Sequence, residues 1–390
     1  MNKNAPEQLF PNYDGSNTVN LISSIQGFCG VEQTYKELDF LKSEELEKYD
    51  NVVLFLVDAL GYNWLREFGS ESFLYKNMLC DMTSVYPSTT ATSVTTFVTG
   101  KTASEHAVMG WNMFIKKAGC IIQLLPWRNK ILGTSLGDKL QLEQISADSN
   151  FYEGSNKEIF VVTHDKILNS KFNLHYNKGS KALSYSDLNS CFDSVYNAVT
   201  MNKKRKYIYA YWSYFDDYCH DFGIDSKEAI NHFEDIDYQF EKLQENLKGT
   251  NTLIVVSADH GQINIPDENK IDLTFSHPEL VDMLTIPMAG ESRYQYCFVK
   301  DGLFDRFREY VETKLSDYVT IYSKDEIIES KLYGYGDNEQ FKDRLGDFVL
   351  ITKSNYAIFN TTLGEEMKKD RGFHGGVTDW ETRVPVICIK

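Results

Sequence analysis

The stretch Val52-Val53-Leu54-Phe55-Leu56-Val57-Asp58 carries six β-prone apolar residues, with nothing polar between them, straight into a carboxylate, and Gly61 comes shortly after. A half-buried strand alternates apolar and polar side chains. A run without alternation is covered on both faces, as strands of a parallel sheet are when helices lie above and below it. Comparable runs stand at 159–163, 207–212, 253–257 and 384–389. Helix-like segments separate them, most clearly 226–246, where Ile230, Phe233, Ile236, Phe240 and Leu243 recur at three- and four-residue spacing. Strands alternating with helices predict an α/β sandwich around a mostly parallel central sheet.

Outside this framework the first fifty residues read as a polar lead-in with one helical segment near 43–49. From about 264 to 371 the pattern changes to a short strand at 296–299, a helix at 303–315, a strand at 319–322 and a Gly334-Tyr335-Gly336-Asp337 turn. This predicts a small inserted α+β subdomain at 264–371, with 1–263 and 372–390 forming the core. The Gly334/Gly336 doublet is no nucleotide fingerprint, because it neither follows a strong strand nor opens a helix.

With 42% hydrophobic and 25% charged residues, the 390-residue chain is excluded from the disordered, collagen-like and coiled-coil classes. Lys plus Arg is 40 against 56 Asp plus Glu, a net charge of −16. Such a surface repels phosphate backbones and anionic lipid, so neither extended nucleic acid nor a membrane is an expected partner. The seven cysteines are scattered without a C-x-x-C pair, the N-terminal stretch lacks an apolar signal core, and no run of eighteen apolar residues occurs. These features predict reduced thiols and a cytoplasmic setting.

Ligands of open α/β sheets bind beyond the carboxyl ends of the strands. Asp58 follows the 52–57 run, Asp216 and His220 follow 207–212, Asp259-His260-Gly261 follows 253–257, and His374 precedes the last strand by ten residues. A lone Asp at such a place is usually a cap or turn residue. Three carboxylates and three imidazoles converging there point instead to mixed oxygen and nitrogen ligation, which suits Zn²⁺ or another borderline divalent ion. Between them lies Tyr86-Pro87-Ser88-Thr89-Thr90-Ala91-Thr92-Ser93, then Val94, Phe97 and Val98, closed by Thr99-Gly100. It reads as a helix with start and stop signals, whose first turn offers N–H groups and a positive dipole end to an anion.

The motifs Val57-Asp58-Ala59, Pro87-Ser88-Thr89-Thr90-Ala91-Thr92 with Thr99-Gly100, Asp216-x-x-x-His220-x-x-Gly223, Asp259-His260-Gly261 and His374-Gly375-Gly376, joined by Pro287-x-x-Gly290-Glu291-x-Arg293, appear in one order over roughly 50–390. Together they resemble the type I phosphodiesterase/nucleotide pyrophosphatase family of the alkaline phosphatase superfamily. That resemblance implies an alkaline-phosphatase-like three-layer α/β/α sandwich and a site with two zinc ions. Asp216, His220 and His374 match the ligands of one ion. Asp58, Asp259 and His260 match those of the other, which also binds the nucleophile. Thr90 matches that nucleophile and metal-bound hydroxyl, with Thr89 and Thr92 as competing assignments.

The chemistry is consistent with these roles. A threonine hydroxyl is a poor nucleophile until a metal lowers its pKa, and two metals about 4 Å apart can hold the attacking and leaving oxygens of an in-line displacement. The expected substrate is a small-molecule phosphodiester or nucleotide, cleaved through a phospho-threonine that water then hydrolyses.

In much of the family an Asn about twenty-one residues after the nucleophile holds a phosphate oxygen. Position 111 is Trp here and Asn112 is the candidate, while Thr92-Ser93 stands where Pro-Asn often does. No C/S-x-P-x-R frame for a sulfatase is present, and 86–100 holds no Arg for a doubly charged monoester. Alternatives are a phosphonate hydrolase or phosphomonoesterase of the same superfamily, or a non-catalytic metal-binding module. His106, His164, His175, His232 and His277 read as structural or surface histidines, Trp111, Trp127, Trp212, Tyr214 and Phe215 as core residues near the motifs, and Arg293 as a brace for the insertion.

Overall fold

Residues 6–146, 149–362 and 364–390 are described by a computed structural model. Its central sheet has seven strands: β1 (Asn51–Val57), β2 (Met78–Thr83), β3 (Glu158–His164), β4 (Lys181–Tyr185), β5 (Lys206–Trp212), β6 (Thr252–Ser257) and β7 (Arg383–Ile389). Their spatial order is β2-β7-β6-β1-β5-β3-β4. Strands β1, β3, β4, β5 and β6 are mutually parallel, and only β7 runs against its neighbours β6 and β2. Every residue of β1 is buried, as its unbroken apolar sequence requires, so helices cover both faces in a three-layer α/β/α sandwich.

Four helices bear on the site and the core around it: α1 (Thr18–Phe28), α2 (Thr90–Thr99), α3 (Tyr214–Phe222) and α4 (Lys227–Asn246). Helix α4 buries Phe233, Ile236, Phe240 and Leu243, the stripe expected from the sequence, and Phe240 meets Phe55 of β1 edge-on at 4.8 Å. Helix α1 corrects the reading of the first fifty residues as a polar lead-in. It is buried nearly all round, including Asn20, Ser23 and Ser24, so it shows no one-sided apolar stripe. Its polar side chains are instead used inside: Asn20 donates to the carbonyls of Tyr13 and Lys36, and Ser24 Oγ accepts from the Leu38 amide. The second helical segment near 43–49 closes after one turn, at Leu46.

Between 264 and 371 a four-stranded antiparallel sheet forms from Ala289–Glu291, Tyr294–Cys297, Phe348–Thr352 and Val319–Ser323. The expected strand at 296–299 starts two residues earlier, because Tyr294 already pairs with Ile351. Alternation along these strands serves two cores. Tyr294, Tyr296, Val349 and Ile351 join the main one, whereas Cys297, Phe348 and Leu350 line a second, local core with Leu273, Phe307 and Val311. This sheet is therefore packed onto the sandwich through one face. Arg293, at its hairpin turn, is fully buried in a bidentate pair with Glu381 and also donates to the carbonyls of Ser354 and Tyr356. Arg293→Ala leaves the Glu381 carboxylate buried without its cation, and an expected cost of about 3–5 kcal/mol would appear as a lower urea midpoint. An unchanged midpoint would exclude a bracing role.

Strand register decides where the site is. Val57 lies opposite Trp212 and Leu56 opposite Ser257, so β1, β5 and β6 end at one edge within a residue of each other. Asp58, the start of α3 and Asp259 all leave the sheet at that edge, the ligand-binding side of an open α/β sheet.

Candidate active site

Two carboxylate–imidazole groups meet there. Asp216, His220 and His374 offer ligand atoms within 4.8 Å of one another, and so do Asp58, Asp259 and His260. Asp216 and His220 lie four residues apart on one face of α3, with Oδ2 and Nε2 3.2 Å apart. His374 follows the two-residue strand Gly372–Phe373, which pairs with Ile263–Asn264 at the mouth of the insertion. That ribbon carries His374 back beside His260, and the two rings stack at 3.8 Å. Gly372 is required for the approach, because a Cβ there would collide with Gln262 Oε1 and sit 2.5 Å from the Cys219 carbonyl.

All three histidines are oriented alike. Nδ1 faces a backbone carbonyl in each: Gly372 for His220, Gly261 for His260 and Ser88 for His374. A carbonyl only accepts, so Nδ1 carries a proton and Nε2 is the atom turned toward the carboxylates, the arrangement found behind metal-ligating imidazoles. His260 Nε2 lies 3.4 Å from both Asp58 Oδ1 and Asp259 Oδ2. Those two carboxylate oxygens are buried and have no hydrogen-bond partner. Their outer oxygens are satisfied, Asp58 by the Tyr211 hydroxyl and Asp259 by the amides of Ala59 and His260. Gln262 similarly donates to Asp216 Oδ1. Buried, unpaired and mutually close carboxylate oxygens are costly unless a cation joins them, so the donor set fits a divalent metal.

Protonation obeys the same logic. Burial, then repulsion by Asp259 and Asp216, holds the Asp58 carboxyl well above its usual range. Burial also lifts Asp259, to about 6. For Asp216 burial acts upward too, but the neighbouring His220 outweighs it and keeps the carboxyl far below the ordinary value; His220 in turn, despite burial, is raised to about 9 by Asp216. Burial lowers His260 and His374 to about 4.

Thr90 opens α2 between the two groups. Its hydroxyl is 3.2 Å from His260 Nε2, and it lines two cavities of about 290 and 340 Å³ that share it with Trp111, Asp216 and Asp217. Of the competing threonines, Thr89 gives its hydroxyl to Glu291 and Thr92 is wholly buried. Asn112 lines the more polar of the two cavities, where its amide donates to the Gly290 carbonyl and accepts from Gln123. The remaining histidines serve the fold: His106 bonds Thr96 and the Val108 amide, His164 meets Tyr214 and the Lys166 amide, and His232 accepts from Trp212 Nε1. Trp212 and Phe215 are buried, so of the aromatics near the motifs Trp111 is the one shared by both cavities. Tyr211, Gln262 and Glu291 are site residues that the sequence does not single out by pattern. Only Glu291 has a signal, its place in the Gly-Glu-x-Arg stretch.

Sheet order and the two groups around a helix-opening threonine define an alkaline-phosphatase-type hydrolase fold. The chain belongs to the type I phosphodiesterase/nucleotide pyrophosphatase family, whose profile matches residues 52–376, and is a hydrolase of phosphoester bonds. Among solved structures it is similar to murine ectonucleotide pyrophosphatase/phosphodiesterase 5, with 18% identity over 86% of this chain and 87% of that one and a TM-score of 0.64. An inactive form of that mouse protein in complex with AMP matches at 18% identity and a TM-score of 0.62 over the same shares. Phosphonoacetate hydrolase from Sinorhizobium meliloti, in complex with phosphonoformate, matches at 16% identity over 87% of this chain and 89% of that one, with a TM-score of 0.63. No curated protein matches the chain. Among the described residues no helix is long and apolar enough to cross a membrane.

Proposed function

We propose that the protein is a two-metal phosphodiesterase or nucleotide pyrophosphatase that works through Thr90, with Zn²⁺ as the metal. The observation that carries this reading is the Thr90 hydroxyl, set between two carboxylate–imidazole groups, in one of which the inner oxygens of Asp58 and Asp259 lack partners. Asp216, His220 and His374 would hold one ion, and Asp58, Asp259, His260 and Thr90 the other. Bound there, divalent ions lower the pKa of a hydroxyl and offset the charge of a phosphate.

The chain's own groups do the rest. Thr90 Oγ forms the new bond to phosphorus, the ester or anhydride oxygen departs with its substituent, and water later releases the phosphoryl group from the threonine. The N-terminus of α2 places its positive dipole end at the same point. Two cavities meeting at one hydroxyl suit a phosphorus bearing two substituents. The apolar one, with Val94, Val98, Leu125 and Phe172, suits a nucleoside or other largely apolar group, and the polar one, with Gln123, Lys130 and Lys368, a second polar or charged group. The AMP complex of the mouse relative supports the nucleotide version. Seven scattered free cysteines support a reducing, cytoplasmic setting.

Hydrolysis of bis(p-nitrophenyl) phosphate and dinucleotides faster than p-nitrophenyl phosphate or phosphonoacetate is the expected result. A preference for phosphonoacetate would replace the diester reading with a phosphonate hydrolase.

Protonation gives a separate check. Metal must displace the proton that Asp216 keeps on His220 up to about pH 9 and the one that burial holds on Asp58. Titrating the metal-free protein with Zn²⁺ at pH 7 is therefore expected to release protons, and apparent affinity should rise with pH toward 9. Calorimetry in buffers of different ionisation enthalpy reads this release; binding without it would contradict the assigned ligands.

A further inference from the structure

Three consecutive residues lead into α2, and each is held by a different part of the chain. Ser88 takes His374 Nδ1–H on its carbonyl and gives its hydroxyl to the Gly376 carbonyl at 2.8 Å. Thr90 meets His260. The Thr89 hydroxyl, between them, donates to Glu291, at 2.9 and 3.0 Å to the two carboxylate oxygens. Glu291 arrives from the inserted subdomain, at the end of the Ala289–Glu291 strand.

That carboxylate does more than satisfy one hydroxyl. Its Oε1 also accepts the Trp111 amide and the Tyr294 hydroxyl, both at 2.7 Å. Trp111 and Thr90 are walls shared by both cavities, so one side chain ties the two elements between which a substrate must lie. The contact is close-built on the other side as well, since a Cβ on Gly110 would collide with the Tyr294 hydroxyl and fall 2.9 Å from Glu291 Oε1.

Thr89 itself shows that Glu291 determines its conformation. It is the N-cap of α2, with extended backbone at φ −138° and ψ 148°, yet its side chain makes no capping bond. Threonine at that place ordinarily accepts an amide of the first turn. Here the hydroxyl points outward to Glu291 instead, which fixes the peptide that precedes the nucleophile.

We propose that Glu291 is a positioning residue for the reaction: acting through Thr89 and the Trp111 amide, it sets the direction of the Thr90 hydroxyl and the spacing of the cavity walls. This rests on the assignment of Thr90 as nucleophile. Misplacement of a reacting group by an ångström costs up to about a hundredfold in rate. Glu291→Ala is therefore expected to lower the single-turnover rate constant on bis(p-nitrophenyl) phosphate by roughly ten- to a hundredfold, with KM changed less than about threefold and zinc content unchanged.

Glu291→Gln keeps an acceptor for Trp111 and Tyr294 and a polar partner for Thr89, and should return the rate to within about threefold of wild type. Thr89→Val removes the hydroxyl from the other end. It should reproduce most of the loss, and adding it to Glu291→Ala should cost little more, because both remove one interaction. Enzyme in excess over substrate and at saturating concentration gives a rate constant independent of the folded fraction, so a merely destabilised variant would not show the loss. Wild-type rate constants in Glu291→Ala, or fully additive losses in the double variant, would overturn the proposal. Should Glu291→Ala fail to fold, Thr89→Val and Thr89→Ser decide it, the serine variant keeping the rate and the valine variant losing it. A wild-type protein that binds zinc but cleaves no diester would instead refute the functional reading beneath it.

Discussion

Thr90→Ala is expected to abolish diester turnover, with a loss on the order of 10³- to 10⁶-fold, as removal of a covalent nucleophile does elsewhere. Metal should largely stay bound, because the three side chains of each group remain. The size of the effect comes from geometry. Of the hydroxyls at the start of α2, Thr90's is the one beside His260 and open to both cavities, while Thr89's is turned to Glu291 and Thr92's is enclosed. Neither neighbour can take over without rebuilding the turn. Thr90→Ser keeps the oxygen and should keep measurable turnover. Wild-type rates in the alanine variant would show that the nucleophile is elsewhere, most simply a water.

The second large effect concerns stability and changes sign with metal. Asp58 and Asp259 are buried side by side, and burial raises both carboxyls above the ordinary range, Asp259 to about 6. An acid whose folded pKa is raised stabilises the fold below its unfolded pKa and loses that contribution as pH rises through the folded value. The stabilisation contributed by these two carboxyls is therefore lost from about pH 4 upward, Asp259's share by about pH 6, while His260 and His374, lowered to about 4, act in the opposite direction over the same range. Asp259→Asn relieves this, since its oxygen can still accept the Ala59 and His260 amides while its new N–H₂ faces the Asp58 oxygen.

In EDTA at pH 7.5 the asparagine variant is expected to be more stable than wild type by roughly 1–4 kcal/mol. With Zn²⁺ present the order should reverse, because wild type gains the binding energy of a full ligand set and the variant does not. Paired thermal melts with and without chelator read both halves. Identical ordering under both conditions would mean that the Asp58–Asp259–His260 group holds no metal.

Much of the site is legible in the sequence, for a reason visible in β1. A short, uninterrupted run rich in β-branched residues reads as a strand covered on both sides, and the residue after it leaves the sheet at the carboxyl edge. Asp58, Asp216, His220, Asp259 and His260 are readable because each lies within a few residues of such a run, and α3 adds the four-residue spacing that puts Asp216 and His220 on one face. Helix α1 is not readable, since a helix buried all round shows no periodic stripe and its buried Asn and Ser resemble a loop.

What the sequence determined by itself was therefore the local chemistry: which side chains end strands and which threonines open a helix. Folding decided the distances. Parallel register brought Ala59, next to Asp58, against Asp259 across 200 residues of chain, the ribbon at 263–264 and 372–373 returned His374 to His260, and the hairpin at 289–297 set Glu291 against Thr89 from 202 residues away. None of these separations is periodic, so no pattern along the chain encodes them. They arise only when sheet pairing and the two cores close around one edge.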